Sequence, residues 1–453
     1  MEPSMSKILL ISSNTCTSPH PVYPIGMAII AAALKLHGHT VLQFDFLEQE
    51  GNFQSLGLTI QNFDPHFIGI SIRNIDNVDS TSNEDGWYLK GVKELVTYIK
   101  TCSMAPIVLG GAAFSLLPQE ILDYTGADHG VIGEGEISFP RFISAMEENK
   151  PQPQIIISPS RLIPGEEMIS PEYRDDLVLF YVGKSAMANI QTKRGCPNKC
   201  AYCSYPVLEG TRFRFRDPMA VVDDIQRLQK DHGITSLFFT DSLFNDPQEN
   251  HLEIAEEIIR RNLDVQWAAF FSPKGITRQG LKLMKRAGLY AMELGSDSGC
   301  DETLAGMKKG FSFSHVINTN ELCREAEVPA AHFIMFGGPE ETSRTVDEGL
   351  QNIERLKHCV VFAYSGIRIL PRTSIYKRAL KENIISPTDS LLKPVYYFSP
   401  QIDRQELNSQ ILSGFGKRKD RIFPPSKAEI KMKALNMFGF KGLLWDTLLK
   451  KAL

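Results

Sequence analysis

Three cysteines fall within one short stretch, "TKRGCPNKCAYCSYP" (192–206). They are Cys196, Cys200 and Cys203, separated by three residues and then two. Two prolines and a glycine keep the stretch from forming a helix, so the thiols sit on a loop. Four clustered thiolates would suggest structural zinc, which closes its tetrahedron with protein ligands. Three leave a metal position open. A [4Fe–4S] cluster held by three thiolates has one iron free to bind something else, and that is the chemistry three thiols serve. A zinc knuckle or an accidental cluster is the competing reading, but no His or Cys follows at finger-like spacing.

The chain that carries this loop has 453 residues, too many for one ordinary domain. It is 43% hydrophobic and 23% charged, as expected of a globular protein with a full core. A formal net charge of −4 gives no global pull toward nucleic acid. No apolar run is long enough to span a bilayer, and the opening "MEPSMSKILLISS" reads as a first strand rather than a signal peptide. Eight cysteines in this length are not a disulfide framework, so the clustered thiols point to metal or redox chemistry in the cytoplasm.

Residues 7–150 alternate apolar runs with helical stretches. Runs at 7–13, 40–46, 67–72, 106–111 and 129–135 look like five strands, mostly apolar on both faces as in a buried parallel sheet. The stretch "PIGMAIIAAALKLHG" (24–38) is a helix with proline at its start and glycine at its stop. This pattern predicts a doubly wound, Rossmann-like α/β domain over 1–150, followed by a linker at 151–185. Gly110, Gly111, Gly133 and Gly135 fall where strands end, the edge at which such sheets bind ligands. Taken singly, each fits a tight turn equally well. No GxGxxG follows the first strand, so a classical dinucleotide site is not supported. A second series of runs, at 188–193, 236–241, 265–271, 291–296, 330–337 and 362–370, alternates with amphipathic stretches such as 252–262. That makes six βα units over 186–390, whose chemistry should lie at the carboxyl ends of the strands.

With the aromatic Tyr202 before its last cysteine, CxxxCxxC resembles the radical SAM signature. The resemblance implies a partial (βα)6 barrel. It also implies a [4Fe–4S] cluster whose free iron chelates S-adenosylmethionine (SAM), and one-electron cleavage to a 5′-deoxyadenosyl radical. Three strand ends carry the likeness further. "FGGPEET" (336–342) resembles the element bordering adenine, which implies Gly337, Gly338 and Pro339. "MELGSDSG" (292–299), followed by "LAGMKKGFS", resembles the fourth-strand element and implies Glu293 and Ser296, with Ser298 next to them. "DSLFN" (241–245) resembles the second-strand end and implies Asp241 near the SAM amino group; Tyr202 completes this SAM-binding set.

The series "PVYPIGMAIIAAALKLHGH", "IGISIRN", "IVLGGAAFSLLPQEIL" and "GADHGVIGEGE" resembles the cobalamin-binding domain that precedes a radical SAM domain in one large enzyme class. It implies cobalamin on the carboxyl edge of the first sheet, against Pro24, Gly26, Ser71, Arg73, Asn74, Gly110, Gly111, Ser115, Gly133 and Glu134. DxHxxG is absent, so a histidine lower ligand to cobalt is not implied; His20 is the one histidine placed to challenge that, and its ordinary reading is a surface or turn residue. The whole chain resembles the B12-binding/radical SAM proteins associated with lipid biosynthesis. That implies a C-methyltransferase working through the deoxyadenosyl radical and methylcobalamin, an external donor of flavodoxin or ferredoxin type, and a low-oxygen setting. The substrate is unknown, with a lipid or lipid precursor one reading. Non-methylating C–C bond formation, cyclisation or rearrangement is the alternative, and a non-enzymatic cobalamin or redox sensor stands behind both.

Cys16, Cys102, Cys300, Cys323 and Cys359 are scattered. Cys323 and Cys359 lie in apolar patterns that read as helical, where packing is the expected role; Cys300, just past the fourth strand, is also read as packing, with facing the site as the alternative. The last part, 391–453, is expected to be helical, basic and amphipathic. From Gly414 onward it holds ten Lys/Arg against three Asp/Glu. Such a helix either caps the barrel or makes a peripheral contact with the inner membrane face.

Overall fold

Residues apolar on both faces become the strands of two parallel sheets. The computed structural model describes residues 5–17, 20–82, 86–157 and 162–427, with positions 435, 442, 444, 445 and 449 of the C-terminal stretch. The chain divides into two units. One holds 1–77, 83–180 and 390–394; the other holds 78–82, 181–389 and 395–453.

The first unit is built on β1 (Lys7–Ser12), β2 (Thr40–Asp45), β3 (Phe67–Ser71), β4 (Ile107–Gly110), β5 (His129–Ile132) and β6 (Ile155–Ile157). Their order is 2-1-3-4-5-6, all parallel. Ile8, Leu9, Ile11, Ile68 and Leu109 are fully buried, each worth about 1.5–3 kcal/mol in side-chain burial. Strand order reverses between β1 and β3, where a doubly wound sheet opens its ligand crevice. The helix Ile25–Leu36 starts beside that point, with Pro24 O accepting from the backbone N–H groups of Met27 (3.0 Å) and Ala28 (3.2 Å).

The stretch 151–185 is not the expected linker. It contributes β6, paired with β5, and the helix Asp175–Ser185. Glu172 N donates to Ala28 O at 3.0 Å, and Arg174 ion-pairs with Glu48 and Asp176. Its one strand is the three-residue run "III" between polar and proline-rich flanks, too short to show a period.

The second unit carries β7 (Ala188–Ile190), the small ribbon of β8 (Lys193–Arg194) and β9 (Arg214–Phe215), then β10 (Ser236–Phe239), β11 (Gln266–Phe271), β12 (Leu289–Asp297), β13 (Ala330–Phe336) and β14 (Cys359–Ser365). A second ribbon, β15 (Ile367–Arg368) with β16 (Tyr396–Tyr397), and β17 (Arg421–Ile422) follow. The main sheet runs 17-14-13-12-11-10-7 and is parallel throughout. The six expected strands are therefore present, and β17 adds a seventh from beyond residue 390, where the pattern was expected to stop. Its Arg421 belongs to the run that reads as a basic tail, yet it is 4% exposed. It donates to the carbonyls of Leu356 (2.9 Å), Ile353 (3.3 Å) and Cys359 (3.3 Å) and pairs with Asp420 (3.1 Å).

Cys300, Cys323 and Cys359 are buried, as expected of packing thiols, although Cys359 opens β14 rather than lying on a helix. Most of the helix expected over 427–453 lies outside the described residues. Of those described, Leu435, Leu444 and Trp445 pack inward: Trp445 meets Phe238, Ala268 and Ala291 on one side and Val360, Phe362 and Ile422 on the other. Among the described residues no helix is long and apolar enough to cross a membrane.

Candidate functional site

β7 delivers the chain to the cysteine loop, and the end of β10 holds it there. Asp241 accepts from Thr192 N (2.8 Å), Thr192 Oγ1 (2.5 Å) and Lys193 N (3.2 Å). Both its oxygens thus brace the loop, at the strand end expected to lie near the SAM amino group. Gly195 has φ +85°, and a Cβ there would lie 2.1 Å from Arg212 O, so only glycine fits. Its N–H donates to Glu209 (2.9 Å) and its carbonyl accepts from Ser242 Oγ (3.0 Å). Further along, Ala201 N donates to Met307 O (2.9 Å) and Ala201 O accepts from Ile375 N (2.7 Å).

The loop therefore presents Cys196, Cys200 and Cys203 as free thiols, the first buried and the others half-buried. Burial pushes all three up, Cys203 to about 12, and for Cys200 and Cys203 the neighbouring thiol charge adds to it. Desolvated thiols in one another's field are unstable as bare thiolates and are relieved by a cationic metal centre. The three sit on one loop at the carboxyl end of a barrel strand, which fits a cluster bound at the barrel's functional end.

Two residues that the sequence did not single out complete this corner. Tyr202 OH donates to Asp297 Oδ2 at 2.6 Å, and Lys309 Nζ pairs with the same oxygen at 2.6 Å. The Lys309 charge also acts on Cys200, and its Nζ lies 5.7 Å from the Tyr202 ring centre and 5.3 Å from that of Phe311. Burial opposes the Lys309 charge, but Asp297 and Cys200 outweigh it and push the ammonium up.

The expected SAM contacts separate into groups. Gly337 (φ +88°) and Gly338 turn the chain after β13 before Pro339, and their N–H groups both donate to Glu341, at 3.0 Å for Gly338. Burial pushes the Glu341 carboxyl up to about 7, and its Oε1 has no partner among the described residues. Glu293 is buried on β12 and accepts from Trp445 Nε1 at 3.2 Å; burial pushes it up to about 8. Ser296 lies further along the same strand. Its hydroxyl meets His332 Nδ1 (2.8 Å), whose Nε2 meets Asn320 Oδ1 (3.0 Å) on the helix Phe313–Glu325. The register between β12 and β13 shifts between Leu294 and Asp297. Such an irregularity re-aims the side chains that follow, so Asp297 reaches the cysteine loop and Ser296 does not. Ser298 Oγ accepts from Cys300 N at 3.1 Å.

In the first unit the expected residues gather at one sheet edge. Ser71 and Gly110 end β3 and β4, and Gly133 follows β5. Gly111 has φ +96°, with room for no Cβ against Ile72 O (2.6 Å). Ser115 Oγ donates to Gly111 O and accepts from Gly133 N, both at 2.9 Å, knitting the two strand ends together. Glu134 accepts from Ile163 N at 2.8 Å, which anchors the supposed linker. Around Gly26 a Cβ would meet nothing within 4 Å, and at Gly110 only Val131 O at 3.9 Å. That leaves backbone open to close approach by a large ligand, which is the fit cobalamin needs. Beyond β3, Arg73 is exposed and Asn74 half-buried. His20 is half-buried at a bend; burial first and then Arg73 lower it to about 4, so it is neutral at pH 7. Asn14, on the loop after β1, has a buried Nδ2 with no partner among the described residues. No motif had marked it.

Two family models match the chain, a B12 binding domain over 12–143 and the Radical SAM superfamily over 190–353. The chain belongs to the B12-binding radical SAM proteins. This B12-binding radical SAM protein is 24% identical over 434 residues to the tryptophan 2-C-methyltransferase of Streptomyces laurentii, across 79% of this chain and 72% of that one. It is 21% identical to the cytidylyl-2-hydroxyethylphosphonate methyltransferase of Streptomyces wedmorensis, across 93% and 92%. Its fold is similar to that of the radical SAM methyltransferase TsrM from Kitasatospora setae, solved with cobalamin and a [4Fe–4S] cluster bound. The TM-score is 0.85, the identity 22%, and 99% of each chain is covered. Cobalamin, SAM and the [4Fe–4S] cluster, all expected from the sequence, are the cofactors of these two domain families.

Proposed function

We propose that the chain is a cobalamin-dependent radical SAM enzyme that transfers a methyl group to an unactivated carbon of a small organic substrate. The observation that carries this is the pairing in one chain of a sheet edge open to cobalamin with a braced loop of three desolvated thiols. Methyltransferase relatives aligned over most of the chain support it. When bound, the cluster supplies the electron that cleaves SAM and cobalamin carries the methyl group.

The chain's own residues hold and aim. Cys196, Cys200 and Cys203 bind the cluster, while Asp241, Glu209 and Ser242 fix the loop that bears them. Gly337, Gly338 and Pro339 form the turn that borders the adenine, and Tyr202 flanks the cluster. Gly26, Gly110, Gly111 and Gly133 let the cobalamin tail approach the backbone, with Pro24, Ser71, Arg73, Asn74, Ser115 and Glu134 shaping the same edge. A neutral His20 beside Arg73 stands on this edge as well.

A lipid substrate is the narrower reading carried by the resemblance to lipid-associated members. The described C-terminal residues add nothing to it, because Leu444 is buried and Trp445 is partly buried against strand residues. An open iron site is oxygen-labile, so a cytoplasmic, low-oxygen setting and a flavodoxin- or ferredoxin-type donor belong to the same reading. The test is anaerobic incubation of the reconstituted protein with methyl-labelled SAM and a metabolite extract. A labelled product that requires both cobalamin and the three cysteines supports methyl transfer. A new unlabelled product formed with SAM cleavage would move the assignment to cyclisation or rearrangement.

A further inference from the structure

Lys309 is a buried cation placed at the cysteine loop. Its side chain is 9% exposed and that of its partner Asp297 is 5%. Its ammonium pairs with Asp297 Oδ2, which also accepts from the hydroxyl of Tyr202 on the cysteine loop, and the rings of Tyr202 and Phe311 flank it. Its backbone is held apart from these contacts, with Lys309 N donating to Leu304 O at 2.9 Å, while Met307 O clamps the cysteine loop through Ala201. Its side chain therefore adds a charge to a corner that the backbone already fixes.

Resting on the cluster assignment above, we propose that Lys309 is a positioning residue that sets how readily the cluster is reduced, with Asp297 restraining it. Hydrogen bonds to the sulfurs and the net charge nearby are the levers by which a protein tunes an iron–sulfur centre. Reduction adds one electron and breaks no bond; the electron comes from dithionite in the test and from a flavodoxin- or ferredoxin-type protein in function. Negative charge on the thiolates rises, and an ammonium held at the cysteine loop in a water-poor corner favours the reduced form. Asp297, paired with the ammonium, opposes it. The two residues should therefore act with opposite sign, which simple damage to the site would not produce.

The experiment is a dithionite titration of the full-length, anaerobically reconstituted protein, following the electron paramagnetic resonance signal of the reduced cluster. Lys309→Met should lower the ratio of reduced to oxidised cluster at fixed poise by about tenfold, equivalent to about 59 mV for one electron. Lys309→Arg should restore most of it, and Asp297→Asn should raise the ratio above wild type. If Lys309→Met fails to hold iron, the rise in Asp297→Asn still decides the matter. Variants that titrate with wild type, or that both fall, overturn the proposal. So does loss of SAM affinity in Lys309→Met with the titration unchanged, which would make Lys309 a cofactor ligand instead. A wild-type protein that assembles no cluster would overturn the cluster assignment itself.

Discussion

Gly195 has no side chain because none fits: a Cβ would stand 2.1 Å from a backbone carbonyl, and φ is +85°. Gly195→Ala is therefore expected to distort the cysteine loop and cut bound iron severalfold after reconstitution, measured by iron and sulfide analysis, with the fold otherwise retained. Two buried carboxyls give the chain a pH dependence. Glu293 loses its proton near 4.5 when unfolded but near 8 in the fold, and Glu341 near 7. The folded chain binds the extra protons between those values, so stability falls as pH rises from about 4.5 to about 8. Thermal midpoints of the full chain should show this decline, and Glu293→Gln should flatten its upper part; an unchanged slope would contradict it. At this scale the sequence was legible where the chemistry is local. Cys196, Cys200 and Cys203 sit within eight residues, whereas the Tyr202–Asp297 bond joins positions 95 apart and the register shift that aims Asp297 leaves no mark in the sequence.

The elements divide in the same way. Long apolar runs such as β1 and β13 were readable because burial on both faces dictates their composition. β6 has three residues and β17 two, too few for any period to show. β17 hides for a second reason: its buried Arg421 looks like part of a solvated basic run. Arg421 donates to the carbonyls of Ile353, the last residue of the helix Ser343–Ile353, and of Leu356 beyond it, and pairs with Asp420. Arg421→Met should cost about 3–5 kcal/mol, as when one partner of a buried ion pair is removed. Denaturant unfolding would check it, and a loss under 1 kcal/mol would mean that β17 is not integral to the sheet.

For the molecule as a whole, the C-terminal stretch was read as either barrel cap or membrane contact. The described part favours the cap, since Trp445 packs on strand residues and bonds Glu293. Trp445→Ala should destabilise the full chain by about 2–3 kcal/mol, below the range for a fully buried tryptophan because Trp445 keeps some exposure. The wild type should not co-sediment with anionic vesicles; sedimentation that Trp445→Ala abolishes would reverse that reading. The central claim is that this chain uses its three cysteines and cobalamin to turn over SAM in methyl transfer. Mass spectrometry of SAM products tests it most directly, after anaerobic reconstitution with iron, sulfide, cobalamin and a strong reductant, with the Cys196→Ala, Cys200→Ala, Cys203→Ala variant alongside. The account predicts S-adenosylhomocysteine and 5′-deoxyadenosine from the wild type and neither from the variant. S-Adenosylhomocysteine alone would keep the methyl transfer and remove the radical step, whereas neither product from a wild type shown to hold cluster and cobalamin, or equal amounts from the variant, would contradict the account.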